Sequence, residues 1–206
     1  MTEQAKAWQR DYESIFEDVI IPKYPEADKL LQWLRTTDFF TAPAARAYHS
    51  AFEGGLCYHS LLNYDSFYDL VEAFHIELDK DIGDAEIAIM TLCHDLCKIY
   101  LYKPVLKPVK KVDELGKEYW DKVPGYDYDE QFLFGHGEKS VYILMKFINT
   151  LPDKVYQAIR YHMGGMETQM IDKNSSSVLA NNKYALILHL ADMYATFGRE
   201  ERGDIK

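Results

Sequence analysis

Residues 85–100 read AEIAIMTLCHDLCKIY, and the fold turns on that stretch. Apolar side chains run nearly all round its helical projection, the pattern of a helix buried on every side. His94 and Asp95 stand side by side in its middle. A buried carboxylate without a partner costs several kcal/mol even after the protein relaxes. Other parts of the chain must therefore supply what offsets it.

Helical periodicity continues on both sides. Upstream, AKAWQRDYESIFEDVI places Trp8, Tyr12, Ile15, Phe16 and Val19 on one face, and PEADKLLQWLRTT starts at Pro25 and turns Leu30, Leu31 and Leu34 inward. DFFTAPAARAYH is a turn-rich link. The spacing after EGG predicts a long helix with Leu56, His59, Leu62, Phe67, Leu70, Val71 and Phe74 facing in. Downstream, helices are expected over GHGEKSVYILMKFINT, over DKVYQAIRYHM up to Gly164-Gly165, and as one piece over VLANNKYALILHLADMYATF. Residues 101–135 break the pattern with three Pro, many Tyr and alternating charge; DELGKEYW there reads as a hairpin turn between short strands. The tail GREERGDIK reads as frayed.

The bulk numbers bound the function. The 206 residues are 48% hydrophobic, enough for one packed domain, and no run of eighteen uncharged apolar residues exists to span a membrane. The formal net charge of −10 repels nucleic-acid backbones and membrane surfaces, so a phosphate ligand needs a local positive centre. The three Cys (57, 93, 97) are odd in number, which suits a reducing compartment, and MTEQAKAWQRDYESIFED is unlike a secretory signal. A cytoplasmic location is expected.

Seven His occur, at 49, 59, 75, 94, 136, 162 and 189. Singly, each is more often a core or surface residue than a ligand. Several apolar helices nevertheless carry one polar group each: His59, the His94-Asp95 pair, His136 between two glycines, His162, and Asp192 within ALILHLADMYA. One shared divalent metal site accounts for them together. Imidazole mixed with carboxylate suits Mn, Fe, Ni, Co or Zn. Asp95 points about 100° round the helix from His94, toward a second ion, and Lys98 lies one turn above both, placed for a phosphate oxygen. Arg46 and His49 are candidates for phosphate contact and Lys139 for substrate; His189, three residues before Asp192, is a candidate to orient a ligand. Glu53 and His75 read as structural. Cys93 and Cys97 read as small hydrophobes rather than a zinc pair. In the insertion, Tyr119, Trp120, Tyr126 and Tyr128 are candidate base stackers, and Lys107, Lys110 and Lys111 candidate phosphate contacts, with cover for the core edge the plainer reading for at least half of the aromatics.

The spacing His59…His94-Asp95…Asp192 resembles the H…HD…D signature of the HD-domain metal-dependent phosphohydrolases. The motifs carrying the resemblance are FFTAPAARAYHSAFEGGLCYHSL, LCHDLCKI, FGHGEKS, IRYHMGG and LHLADMYAT, over roughly residues 38–196. It is nearest to the HD domain of bacterial 3′–5′ exoribonucleases and to small stand-alone HD hydrolases of Firmicutes and their phages. The resemblance implies an all-α fold, an HD-domain helical bundle with a small β-hairpin-like insertion. A single HD domain over 1–206 is expected, with N-terminal helices in 1–37, the insertion at 101–135 and a flexible tail at 199–206 as read from the residues. The resemblance implies a first metal on His59, His94, Asp95 and Asp192, and a second on Asp95, His136 and His162. The cofactor would be one or two divalent cations (Mn, Fe, Ni, Co, Zn or Mg), with a metal-activated water as nucleophile. Asp95 and Lys98 would be the catalytic pair, Lys98 facing phosphate. The family often has Gly where Cys97 stands, and the exonucleases often have a second His where Met163 stands. Residues 1–37 are too short and too helical for the exonucleases' OB domain.

The expected activity is therefore hydrolysis of a small phosphorylated substrate, a nucleotide first. A nuclease trimming single-stranded RNA or DNA ends is the first alternative. A nucleotide-binding sensor without hydrolysis is the second. No membrane partner is expected, and homo-oligomerisation is left open.

Overall fold

A computed structural model describes residues 1–47, 49–164 and 173–200. It is mostly helical, with one two-stranded antiparallel sheet. The helices are α1 (Glu3–Ile15), α2 (Ala27–Leu34), α3 (Gly55–Ala73), α4 (Asp84–Cys93), α5 (His136–Met145), α6 (Asp153–Tyr161), α7 (Lys173–Asn181) and α8 (Lys183–Tyr194). A π-helical turn, Phe16–Ile20, extends α1, and another, Ala195–Arg199, extends α8. No helix among the described residues is long and apolar enough to cross a membrane.

The amphipathic stripes form the core. Tyr12, Phe16, Ile20, Leu30, Leu31 and Leu34 are fully buried, and α4 is buried from Ala85 to Cys93, as its all-round apolar sequence predicts. Each such aliphatic or aromatic side chain gains roughly 1.5–3 kcal/mol from leaving water. α3 packs against α4 and α8, α8 against α6, and α6 against α5. The long polar-bearing helices are thus mutual neighbours around one region. Caps fix their ends: Thr2 accepts from the Ala5 amide to start α1, and the Glu86 carboxylate accepts from the Gly83 amide to start α4.

Four expectations are corrected. The helix through residues 85–100 stops at Cys93, and a 3-10 turn, Leu96–Lys98, follows. His94 caps the helix, and Asp95 takes φ −108° and ψ 22°, outside the helical well. The polar pair therefore sits where the helix runs out of i→i−4 partners, which turns both side chains into the interior. The final helix is broken at Asn182, whose side chain accepts from the Tyr184 and Ala185 amides and caps α8. On α3, Phe74 is 67% exposed, and Asn63 and Ser66 are buried in its place. The tail is not free from residue 199: Arg199 pairs with Asp69, and Glu200 is buried.

The insertion is the expected hairpin with longer strands. β1 (Tyr102–Val112) and β2 (Glu118–Tyr128) pair from Tyr102↔Tyr128 to Val112↔Glu118. Asp113 closes the turn, its carboxylate accepting from the Leu115 and Lys117 amides while Gly116 takes φ +79°.

Candidate metal centre

Five stretches of backbone deliver the site. His59 comes from the second turn of α3, His94 and Asp95 from the two residues after α4, His136 from the first position of α5, His162 from the residue after α6, and Asp192 from α8. His59, His94, Asp95, His162 and Asp192 are all buried, and His136 is half-buried. The close approach of α5 to α6 depends on Gly137, where a Cβ would lie 2.2 Å from the Arg160 carbonyl oxygen.

The outer nitrogen of each deep imidazole fixes its tautomer. His94 Nδ1 lies 2.7 Å from the Thr91 carbonyl oxygen and His162 Nδ1 2.7 Å from that of Ile159. A carbonyl can only accept, so both Nδ1 atoms carry the proton. His59 Nδ1 donates to the Glu200 carboxylate at 2.5 Å. Three Nε2 atoms are thereby left facing inward.

They face each other and the carboxylates. His59 Nε2 is 3.1 Å from His94 Nε2 and 3.1 Å from Asp192 Oδ1. Asp95 Oδ2 is 3.4 Å from His59 Nε2 and 3.5 Å from His94 Nε2. The other oxygen of Asp95 turns to the opposite side, 2.7 Å from His136 Nε2 and 3.6 Å from His162 Nε2. Asp95 thus stands between two groups of nitrogens. His162 Nε2 is fully buried and has no hydrogen-bond partner among the described residues.

The electrostatics set buried carboxylates against imidazoles and one ammonium. Asp95, Asp192 and Glu200 are three buried carboxylates, and the Lys98 ammonium is 2.6 Å from Asp95 Oδ2. Burial raises the pKa of Asp95, but Lys98, His94 and His136 outweigh it and hold the carboxyl well below its ordinary value. Burial raises Asp192 too, and His59 more than reverses it. Burial pulls His59 down, yet Asp192, Asp95 and Glu200 leave it well above the usual imidazole value. For His94 burial outweighs the Asp95 and Asp192 charges, with His162 and His59 adding to it, and pushes the imidazole to about 3. Imidazoles and carboxylates at these spacings suit a divalent cation, whose donor atoms lie about 3–3.5 Å apart. Three overlapping groups could hold one: His59, His94 and Asp192; His94, Asp95 and His162; and Asp95, Cys97 and His136, the candidate donor atoms of each lying within 4.8 Å of one another.

No family model, curated protein or solved structure matches the chain.

The cluster opens into a cavity of about 350 Å³. Asp95, Asp192 and His136 form part of its wall, with Lys98, His49, Tyr102 and Tyr128 around them. Burial holds His49 below its ordinary value. The remaining sequence candidates lie elsewhere. Arg46 is drawn to the hairpin, its guanidinium 3.7 Å from Asp127 and over the Tyr128 ring. The Lys139 ammonium is held by both Glu130 oxygens at 2.9 and 3.0 Å and lines a separate cavity. His189 Nδ1 donates to the His162 carbonyl at 2.6 Å and so steadies the backbone there. Glu53 accepts from the Thr2 amide and pins the start of α1. Along the hairpin, Lys110 pairs with Glu118 and Lys111 with Asp121, while Trp120 is 70% exposed near the tip.

Two contributors escaped the sequence reading. Glu200 lay in a stretch read as tail, with no periodicity to place it. Tyr102 belongs to the insertion, and only the pairing with Tyr128, 5.4 Å between ring centres, brings it to the cavity.

Proposed function

We propose that the chain is a metal-dependent phosphohydrolase of the HD type, acting on a nucleotide or a similarly small phosphoester. One observation carries the reading: three imidazole Nε2 atoms and the Asp95 and Asp192 carboxylates converge in a buried cluster that faces a cavity bearing an ammonium. His59, His94, Asp95 and Asp192 would hold a first ion, and Asp95, His136 and His162 a second. When bound, such an ion supplies Lewis acidity, lowering the pKa of water and neutralising phosphate charge.

The chain's own groups account for the rest. Lys98, on the cavity wall, would hold a phosphate oxygen once substrate competes for its pairing with Asp95. His49, kept neutral by burial, would offer one hydrogen bond to the ester. Tyr102 and Tyr128 would pack against the apolar part of the ligand. The cavity is near the small end of ligand sites, about 300–1,000 Å³, which favours a monomeric substrate. The acids opposite Lys110 and Lys111 speak against a phosphate track along the hairpin.

The test is elemental analysis of the purified chain, joined to a hydrolysis panel of nucleotides and short oligonucleotides with Mn, Fe, Co, Ni, Zn and Mg. Asp95→Ala should lose metal and activity together. A wild type that takes up none of these ions, or an Asp95→Ala variant that keeps full metal content, overturns the reading.

A further inference from the structure

The three cysteines are free and buried, but they are not equivalent. Cys57 and Cys93 belong to the apolar core cluster; Cys97 does not. Its sulfur lies 3.4 Å from each ring nitrogen of His136 and 3.9 Å from Asp95 Oδ1. The Cys97 amide donates to Ser140 Oγ at 3.1 Å, which fixes the 3-10 turn against α5 and so fixes the sulfur beside the imidazole. Across the same Asp95 oxygen, 3.6 Å away, is the fully buried and unpartnered Nε2 of His162. The sulfur, His136 and Asp95 therefore offer donor atoms that all lie within 4.8 Å of one another, while His162 shares Asp95 with His94.

We propose that Cys97 is a metal ligand, forming with Asp95 and His136 a site of sulfur, nitrogen and oxygen donors for a borderline-soft divalent ion such as zinc or cobalt. The proposal rests on the metal-centre reading above and adds to it a donor that sets the choice of ion. Bond lengths of about 2.3 Å to sulfur and 2.0–2.1 Å to imidazole put tetrahedral donors about 3.5 Å apart. The sulfur stands 3.4 Å from His136 Nε2 and 3.9 Å from Asp95 Oδ1, on either side of that value. The His136–Asp95 contact, at 2.7 Å, is a hydrogen bond that binding would replace.

Binding forms a metal–sulfur bond and sends the thiol proton to solvent, with nothing oxidised or reduced. A thiolate in the donor set favours zinc or cobalt over magnesium, because hard ions gain little from sulfur. The first group, His59, His94 and Asp192, contains no sulfur, so the two halves of the centre would differ in the ions they prefer.

Cobalt(II) added to the metal-stripped full chain tests this by absorption. The expected result is visible bands from bound cobalt together with a near-ultraviolet sulfur-to-metal charge-transfer band. Cys97→Ser should lose the charge-transfer band and keep visible bands; Cys57→Ser should keep both. Visible bands in the wild type without charge transfer overturn the role of Cys97 and leave the metal centre standing. No bands at all overturn both. Should Cys97→Ser fail to fold, X-ray absorption of the zinc-loaded wild type decides: a sulfur scatterer at about 2.3 Å supports the assignment, and a shell of nitrogen and oxygen alone ends it.

Discussion

Glu200 holds His59. The carboxylate accepts from Nδ1 at 2.5 Å across 141 residues of sequence, and that bond turns Nε2 toward His94 and Asp192. Partners of this kind set a ligand's tautomer and basicity, and their loss typically weakens metal affinity about 10–100-fold. Glu200→Ala is expected to fall in that range for zinc or manganese by calorimetric titration, with an unchanged circular dichroism spectrum. Wild-type affinity in the variant would remove Glu200 from the centre.

Gly137→Ala puts a methyl group 2.2 Å from the Arg160 carbonyl oxygen, a backbone atom with little freedom to retreat. α5 must move off α6, carrying His136 from His162. Overpacking of this kind costs about 1–3 kcal/mol, to be read by urea denaturation. Metal stoichiometry is expected to fall in the same variant, since His136 and His162 lie on the two displaced segments.

The Tyr12 hydroxyl donates to the Leu92 carbonyl at 3.1 Å, two residues before His94. Both residues are fully buried. Tyr12→Phe leaves that carbonyl without its donor, at about 1–3 kcal/mol. The melting temperature should drop accordingly, while metal affinity should change far less than in Glu200→Ala.

Glu86 gives the fold an acid limit. Burial raises its pKa, but Lys23, Tyr24 and the Gly83 amide outweigh burial and hold the carboxyl below its ordinary 4.5. A folded-state value below the unfolded one means the stabilisation is complete above pH 4.5 and disappears as pH falls through the folded value. Thermal melts should show wild type losing stability over that acid window. Glu86→Gln should be less stable at neutral pH and flatter on acidification. Parallel pH curves for the two proteins would exclude this role.

An ion that binds the folded chain and not the unfolded one stabilises it by mass action. Free zinc at a hundred times its dissociation constant should add about 2.7 kcal/mol. Melts with and without chelator measure the difference; identical curves would mean that no ion couples to folding.

Much of this was legible because periodicity is written by burial. His59, His94, Asp95 and Asp192 stood out as polar residues on apolar faces, and all four are buried together. Leu30, Leu31 and Leu34 were legible for the same reason. What depends on ends and pairings was not. Cys93 looks as helical as Leu92, yet the helix stops there, and the bonds that turn His94 and Asp95 inward exist only in three dimensions. Asn182 was hidden inside an apolar run because a cap is a local hydrogen-bond choice rather than a pattern. Lys110 and Lys111 looked available in sequence because their counter-ions sit on the opposite strand, in a register no local signal announces.

The hairpin has a last consequence. Eleven residues per strand make a ribbon roughly 36 Å long, and a two-stranded ribbon has both outer edges open. Such edges invite further strands and, through them, aggregation. Here Pro104 and Pro108 on β1 and Pro124 on β2 have no amide hydrogen, and the register runs unbroken past all three. Proline is accepted in a ladder where its missing donor faces outward. Both edges are thereby interrupted, and the charged pairs Lys110–Glu118 and Lys111–Asp121 lie along the distal half. The ribbon is protected against becoming a wider sheet, so copies of the chain should not polymerise edge to edge through it.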